Sequence, residues 1–205
     1  FTWDDFQGRV NSELIGNLAN YINRTLTFVH KFYDGAVPQA QEDTEFWDQV
    51  RLYEEKITTH LERAELREGF KEVFALADFG NKQFQAGEPW RTRKENPAEA
   101  ARLLRALTFL VKDLSIVMEP YLPATAERIK RWLGNDTLTW QDLGYCTGIQ
   151  KVEQPEILFT RLEDEQIQEL RNRFAGTQKE REEKMAAEEA EQNQKSTPEQ
   201  AFRDK

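Results

Sequence analysis

The chain has 205 residues, 39% of them hydrophobic and 32% charged, with a formal net charge of −9. That length holds one ordinary domain with a core, or one domain and a tail. No run of about 18 apolar residues exists to span a membrane, and the acidic balance, taken alone, argues against a nucleic-acid partner.

A lone cysteine, Cys146, rules out an internal disulfide and fits a reducing, cytoplasmic location. One cysteine with two histidines, His30 and His60, cannot build a usual structural zinc site. The start, Phe1-Thr2-Trp3-Asp4-Asp5, has no signal-peptide character, and its lack of Met predicts a piece excised from a longer chain. Neither a Walker loop nor Gly-x-Gly-x-x-Gly is present.

In chain order, the first helix is predicted over 10–33. Val10, Leu14, Leu18, Ile22, Leu26, Val29 and Phe32 form its inward stripe. Asp34-Gly35 ends it. A second helix is predicted from Asp43 to Ala64, with Phe46, Val50, Tyr53, Ile57 and Leu61 inward, and a third from Leu66 to Gln85. Gly87-Glu88-Pro89-Trp90 then breaks the pattern. The fourth helix opens on Asn96 as N-cap, Pro97 at the first position and Glu99 at the third. Its stripe is Leu103, Leu107, Leu110, Leu114 and Val117. A fifth carries Ala126, Ile129 and Leu133, and 135–162 read as irregular. The fold class that follows is all-α, an antiparallel helix bundle over 1–162. Residues 163–205 form a charged tail, helical or a linker, because Gly176–Ala201 hold no Leu, Ile, Val or Phe.

Charge is uneven along the chain. Segment 42–72 has ten acidic and five basic side chains, whereas 9–33 carry +2 and 82–94 carry +3. This allows a neutral-to-basic face opposite an acidic one; the alternative is that the charged runs are simply solvated helix faces. No catalytic constellation is legible. The paired carboxylates read as solvated helix charges, both histidines as surface or core-edge residues, and Cys146 as inert. A stand-alone hydrolase or transferase would need a cleft with a perturbed carboxylate pair.

Recognition chemistry is better supplied. Asn11, Asn17, Asn20 and Asn23 crowd one helix although Asn is a mediocre helix former. Asn20 and Arg24, four apart, share a face away from the Leu18/Ile22 stripe, and an amide beside a guanidinium suits the edge of an unpaired base. Trp90, with Arg91, Arg93 and Lys94 directly after it, could stack a base while the cations meet phosphates. The alternative is a protein-interaction or scaffold module without RNA binding, whose tail pairs with partner helices and whose Trp90 is buried.

Arg9-Val10-Asn11 followed by Leu14 to Arg24 resembles the opening helix of the anticodon-binding domain of the methionyl-tRNA synthetase family. Ala77-Asp78-Phe79-Gly80-Asn81-Lys82 through Pro89-Trp90 resembles its asparagine…proline-tryptophan motif, and Met118-Glu119-Pro120-Tyr121-Leu122-Pro123 its later proline-rich turn. Thr139-Trp140 and Pro155-Glu156-Ile157-Leu158-Phe159 also fit, so the likeness covers about residues 1–165.

The resemblance implies that Asn20 and Arg24 contact the first base, cytosine, of the CAU anticodon, that Trp90 stacks on it, and that Asp78 repels wrong anticodons. Arg91, Arg93 and Lys94 are candidate phosphate contacts. Glu88 replaces a usually small residue, and Gln85 stands where the family is often acidic. Implied partners are initiator and elongator methionine tRNAs, the catalytic domain of the same polypeptide, and a second copy through a further C-terminal domain. By the same resemblance this fragment is not itself an enzyme. It has no cofactor or metal of its own, since ATP and zinc belong to an upstream catalytic domain of the parent ligase.

Overall fold

The computed structural model describes residues 1–174 and 176. Among them the regular structure is helical, apart from one isolated antiparallel bridge between Ala36 and Lys151. The helices are α1 (Trp3–Arg9), α2 (Asn20–Tyr33), α3 (Thr44–Glu62), α4 (Leu66–Gly87), α5 (Pro89–Glu95), α6 (Pro97–Val117), α7 (Pro123–Trp132) and α8 (Asp164–Phe174). A π-helical segment, Val10–Ala19, precedes α2, and a 3-10 turn occupies Trp140–Asp142.

Two compact units divide the chain. One comprises Gly8–Arg161; the other comprises Phe1–Gln7 with the described residues from Leu162 onward. The sequence reading grouped Phe1–Gln7 with the bundle, but here they belong with α8. In this small unit Trp3 stacks on Phe174 at 6.2 Å and meets Phe1 and Phe6 edge-on, Ile167 is buried, and Gln7 Nε2 donates to Leu162 O at 3.0 Å and Asp164 Oδ1 at 2.9 Å. The expected tail beyond α8 lies outside the described residues, Gly176 excepted.

In the larger unit the expected bundle forms. α4 packs against α3, α6 and α2, and α6 also contacts α7 and α2. Local chemistry explains the ends. Asp43 caps α3 by accepting from Phe46 N at 3.1 Å, and Asn96 caps α6 by accepting from Glu99 N at 3.3 Å, with Pro97 in the first turn. The caps satisfy backbone donors that have no partner within the helix.

Three expectations are corrected. The helix over 10–33 begins as π-helix rather than α-helix. Val10, Leu14 and Leu18 recur every fourth residue, a spacing that fits the wider π turn about as well as the α turn, so periodicity could not separate them. Phe32, assigned inward, is 37% exposed. The break after Gly87 is the short helix α5, which starts at Pro89 as soon as Glu88 takes a left-handed turn (φ 41°). A Cβ at Gly87 would meet the Leu103 side-chain end and push it aside, so glycine lets the end of α4 close on α6.

Helix α6 departs most from its sequence pattern. A one-sided stripe was expected, yet every residue from Ala106 to Met118 is buried, including Thr108, Lys112, Asp113 and Ser115. The bundle wraps it on all sides, so its polar residues must find partners inside.

Candidate nucleic-acid interface

Helices α2 and α4 approach closely at Gly80, where a Cβ would lie 2.5 Å from the Tyr21 ring. Tyr21 is fully buried and donates to Leu107 O at 2.8 Å, which ties α2 to α6. With the three helices locked there, the outward residues next to Tyr21 and Gly80 face one another.

Asn20 is exposed, and its Nδ2 donates to Asn81 Oδ1 at 3.2 Å. One turn on, Arg24 Nη2 donates to Gln85 Oε1 at 3.4 Å, and its guanidinium lies 4.0 Å over the Phe84 ring. Burial pulls Arg24 below its ordinary pKa, although a guanidinium stays charged at neutral pH. The buried Phe84 also meets Trp90 at 6.2 Å, and Trp90 keeps 40% of its surface exposed. Asn20, Arg24 and Trp90, far apart in sequence, thus share one patch through α4. Trp90 is not buried as the scaffold reading predicted.

The other expected site residues are placed differently. Asp78 stands three and seven residues before Asn81 and Gln85, hence on their face of α4, and pairs with Lys82 at 2.6 Å. Arg91 pairs with Glu88 at 2.8 Å and Glu95 at 3.1 Å. Arg93 lies 4.1 Å over the Phe32 ring, with its Nε buried and without a hydrogen-bond partner. Lys94 is exposed. The local excess of positive charge in 82–94 is therefore largely engaged within the chain.

Sequence reasoning placed Asn81 in the family motif and Phe84 on the inward side of its helix but made neither a site residue, and both join the patch. A signal existed: Asn81 and Gln85 repeat on α4 the four-residue spacing of Asn20 and Arg24. Only the α2–α4 contact shows that the two pairs meet.

A second polar cluster corrects the reading of all carboxylates as solvated. Glu54 of α3 and Asp113 of α6 are both buried and act on one another electrostatically, and Glu54 Oε1 has no hydrogen-bond partner among the described residues. Burial lifts the Glu54 carboxyl to about 8 and the Asp113 carboxyl to about 6, the latter opposed by neighbouring Lys112 at 2.7 Å. Lys112 Nζ also donates to Tyr145 O at 2.9 Å and to Asp142 O, and Gly144 N donates to Asp113 Oδ2 at 3.3 Å. Glu54 lines a cleft of about 790 Å³ with Arg51, Arg105 and Cys146. Burial pushes the Cys146 thiol up to about 12, so it is no nucleophile near neutral pH. The expected inertness of Cys146 fits this environment. His60, at the end of α3, contacts Glu65 Oε2 at 2.6 Å.

No described helix is long and apolar enough to cross a membrane, and no group of three or more potential metal-ligating side chains occurs among the described residues.

Comparisons with known proteins identify relatives of the chain. Residues 34–179 match the family described as the anticodon binding domain of methionyl tRNA ligase. The methionine–tRNA ligase of Treponema denticola is 41% identical over 88% of this chain and 27% of its own length. That of Borreliella afzelii is 36% identical over the whole chain, α2 included, and again 27% of its own length. The chain thus spans about a quarter of these relatives. The fold resembles part of the apo Mycobacterium tuberculosis methionyl-tRNA synthetase, with a TM-score of 0.72 at 21% identity, covering 80% of this chain and 35% of that one.

Proposed function

The chain belongs to the family of methionyl-tRNA ligase anticodon-binding domains, and from that premise we propose that its α2–α4–α5 face reads the first base of the methionine tRNA anticodon, CAU. The observation that carries this reading is the convergence of Asn20 and Arg24, each held by an α4 amide, beside a Trp90 that is 40% exposed. Single-stranded RNA is recognised by stacking splayed bases and hydrogen-bonding their edges. Trp90 supplies the stacking surface, worth about 1–3 kcal/mol per base. Arg24 and Asn20 bind the cytosine edge, worth about 1–3 kcal/mol of discrimination for a good pair of contacts. Asp78, on the same face of α4, places a negative charge against anticodons that would approach wrongly.

This also answers the acidic net charge. A site built on stacking and base edges needs few phosphate contacts. Lys94 is the residue of 91–94 most available for one, since Arg91 and Arg93 are already engaged. In the larger ligase, recognition here would favour the complex in which methionine is joined to tRNA with ATP at a separate catalytic domain.

The test is a fluorescence titration of the chain with a methionine anticodon stem-loop, beside one changed only at the first anticodon base. Tryptophan quenching is expected to favour the CAU loop and to vanish in Trp90→Ala. Equal weak binding to both loops, falling steeply with salt, would leave only non-specific charge contact and remove the reading.

A further inference from the structure

The hydrogen bonds behind this face decide which end of the Asn20 amide points outward. The oxygen and nitrogen of an amide have nearly the same shape, so only neighbours fix its polarity. Here two backbone carbonyls, which can only accept, anchor a chain of three amides. Phe74 O accepts from Asn17 Nδ2 at 2.9 Å, so Asn17 Oδ1 is the acceptor end. Asn17 O accepts from Asn81 Nδ2 at 3.0 Å, and the same amino group donates to Asn17 Oδ1 at 3.0 Å. Both Asn81 protons are thereby engaged, and Asn81 Oδ1 turns to Asn20, whose Nδ2 it accepts at 3.2 Å.

Asn20 Oδ1 is then the outward end, an acceptor. Flipping Asn20 alone would set oxygen against oxygen. Flipping all three amides would set Asn17 Oδ1 against Phe74 O and Asn81 Oδ1 against Asn17 O, leaving acceptors facing acceptors in a half-buried site.

We propose, resting on the reading of this face as an anticodon site, that Asn81 is a positioning residue that sets the polarity of Asn20 and thereby selects a first base carrying an exocyclic amino group. Cytosine offers its N4 amine to the outward oxygen. Uracil sets a carbonyl O4 against it, acceptor facing acceptor. Asn81 touches no base in this scheme. It acts through Asn20, so its removal alters preference more than affinity.

The experiment measures binding of the whole chain to stem-loops carrying cytosine, uracil, or a pyrimidine lacking the 4-amino group at the first anticodon position. The native chain is expected to prefer cytosine roughly 5- to 150-fold. Asn81→Ala should shrink that ratio at least several-fold while changing the uracil-loop Kd less than about threefold, because a freed Asn20 amide can turn its nitrogen outward. Asn81→Ser, whose hydroxyl can donate or accept and so imposes no polarity, should behave alike and covers the case in which the alanine variant fails to fold. Asn20→Ala should lose the preference, and adding Asn81→Ala to it should change the ratio no further. A cytosine preference that survives both Asn81 variants, or variants that weaken all loops equally, overturns the relay alone. A native chain without preference, or binding indifferent to Trp90→Ala, overturns the anticodon reading and the relay with it.

Discussion

The bundle has two polar centres, and they handle burial in opposite ways. The Asn20–Arg24–Trp90 face is open to solvent, and Asn20 and Arg24 are backed by neutral amides, Asn81 and Gln85. The Lys112–Asp113–Glu54 cluster is buried, with two carboxyls against one ammonium. The first leaves hydrogen-bonding capacity unused at its rim, as a site for an incoming base must. In the second, Lys112 and Asp113 direct theirs inward, to the backbone of 142–145.

That use of charge extends along 135–162, where a single 3-10 turn and one isolated bridge leave most carbonyls without a regular partner. Arg105 donates to Cys146 O at 2.9 Å, Lys130 to Leu138 O at 2.8 Å, and Arg128 to Ile157 O at 3.2 Å. Basic side chains serve the irregular segment as hydrogen-bond donors, which buried backbone requires. A net charge therefore says little about where binding can occur until the internal uses of charge are known.

The contrast can be broken most severely at Lys112. Lys112→Met removes the ion-pair partner of Asp113 and the donor to the Asp142 and Tyr145 carbonyls and should lower stability by about 3–5 kcal/mol in urea unfolding. A loss under 1 kcal/mol would mean that the cluster is dispensable.

A smaller effect comes from pH. Glu54 is raised from 4.5 to about 8 and Asp113 to about 6, so the folded chain keeps protons that the unfolded chain has released. Stability from this source is fully present below the ordinary carboxyl range and is lost as pH rises toward 8, by at most about 1.4 kcal/mol per pH unit for each group. Thermal unfolding between pH 5 and 8 should show a shallower decline in Glu54→Gln than in the native chain. Parallel declines would remove the protonated pair.

The smallest effect should come from the face. Arg91→Gln breaks exposed pairs with Glu88 and Glu95 and should change stability by less than about 0.5 kcal/mol. The salt dependence of RNA binding should also stay as it was, whereas one lost phosphate contact would reduce its slope by about one.

Much of the fold was legible because helices announce themselves locally. The Asn96–Pro97–Glu99 start of α6 and the Asp43 cap of α3 are interactions between residues three apart, and they appear as read. The π turn before α2 was not legible, since Val10, Leu14 and Leu18 suit both helix types. Nor was the burial of Lys112 and Asp113, because a helix surrounded by others loses its solvent face without any change in its own pattern.

The candidate site divides in the same way. Asn20 and Arg24 could be paired from the sequence because four residues make one turn, and Trp90 could be singled out by Pro89 before it and the cations after it. Composition and periodicity by themselves determined an all-helical chain with an amide-rich first helix. Tertiary structure alone decided that α4 passes beside that helix at Gly80, that Asn81 meets Asn20, and that the buried carboxyls share a lysine. The reason is physical: turns and caps depend on neighbours in the chain, whereas an amide's polarity and a carboxyl's proton depend on whatever the fold brings within about 3 Å.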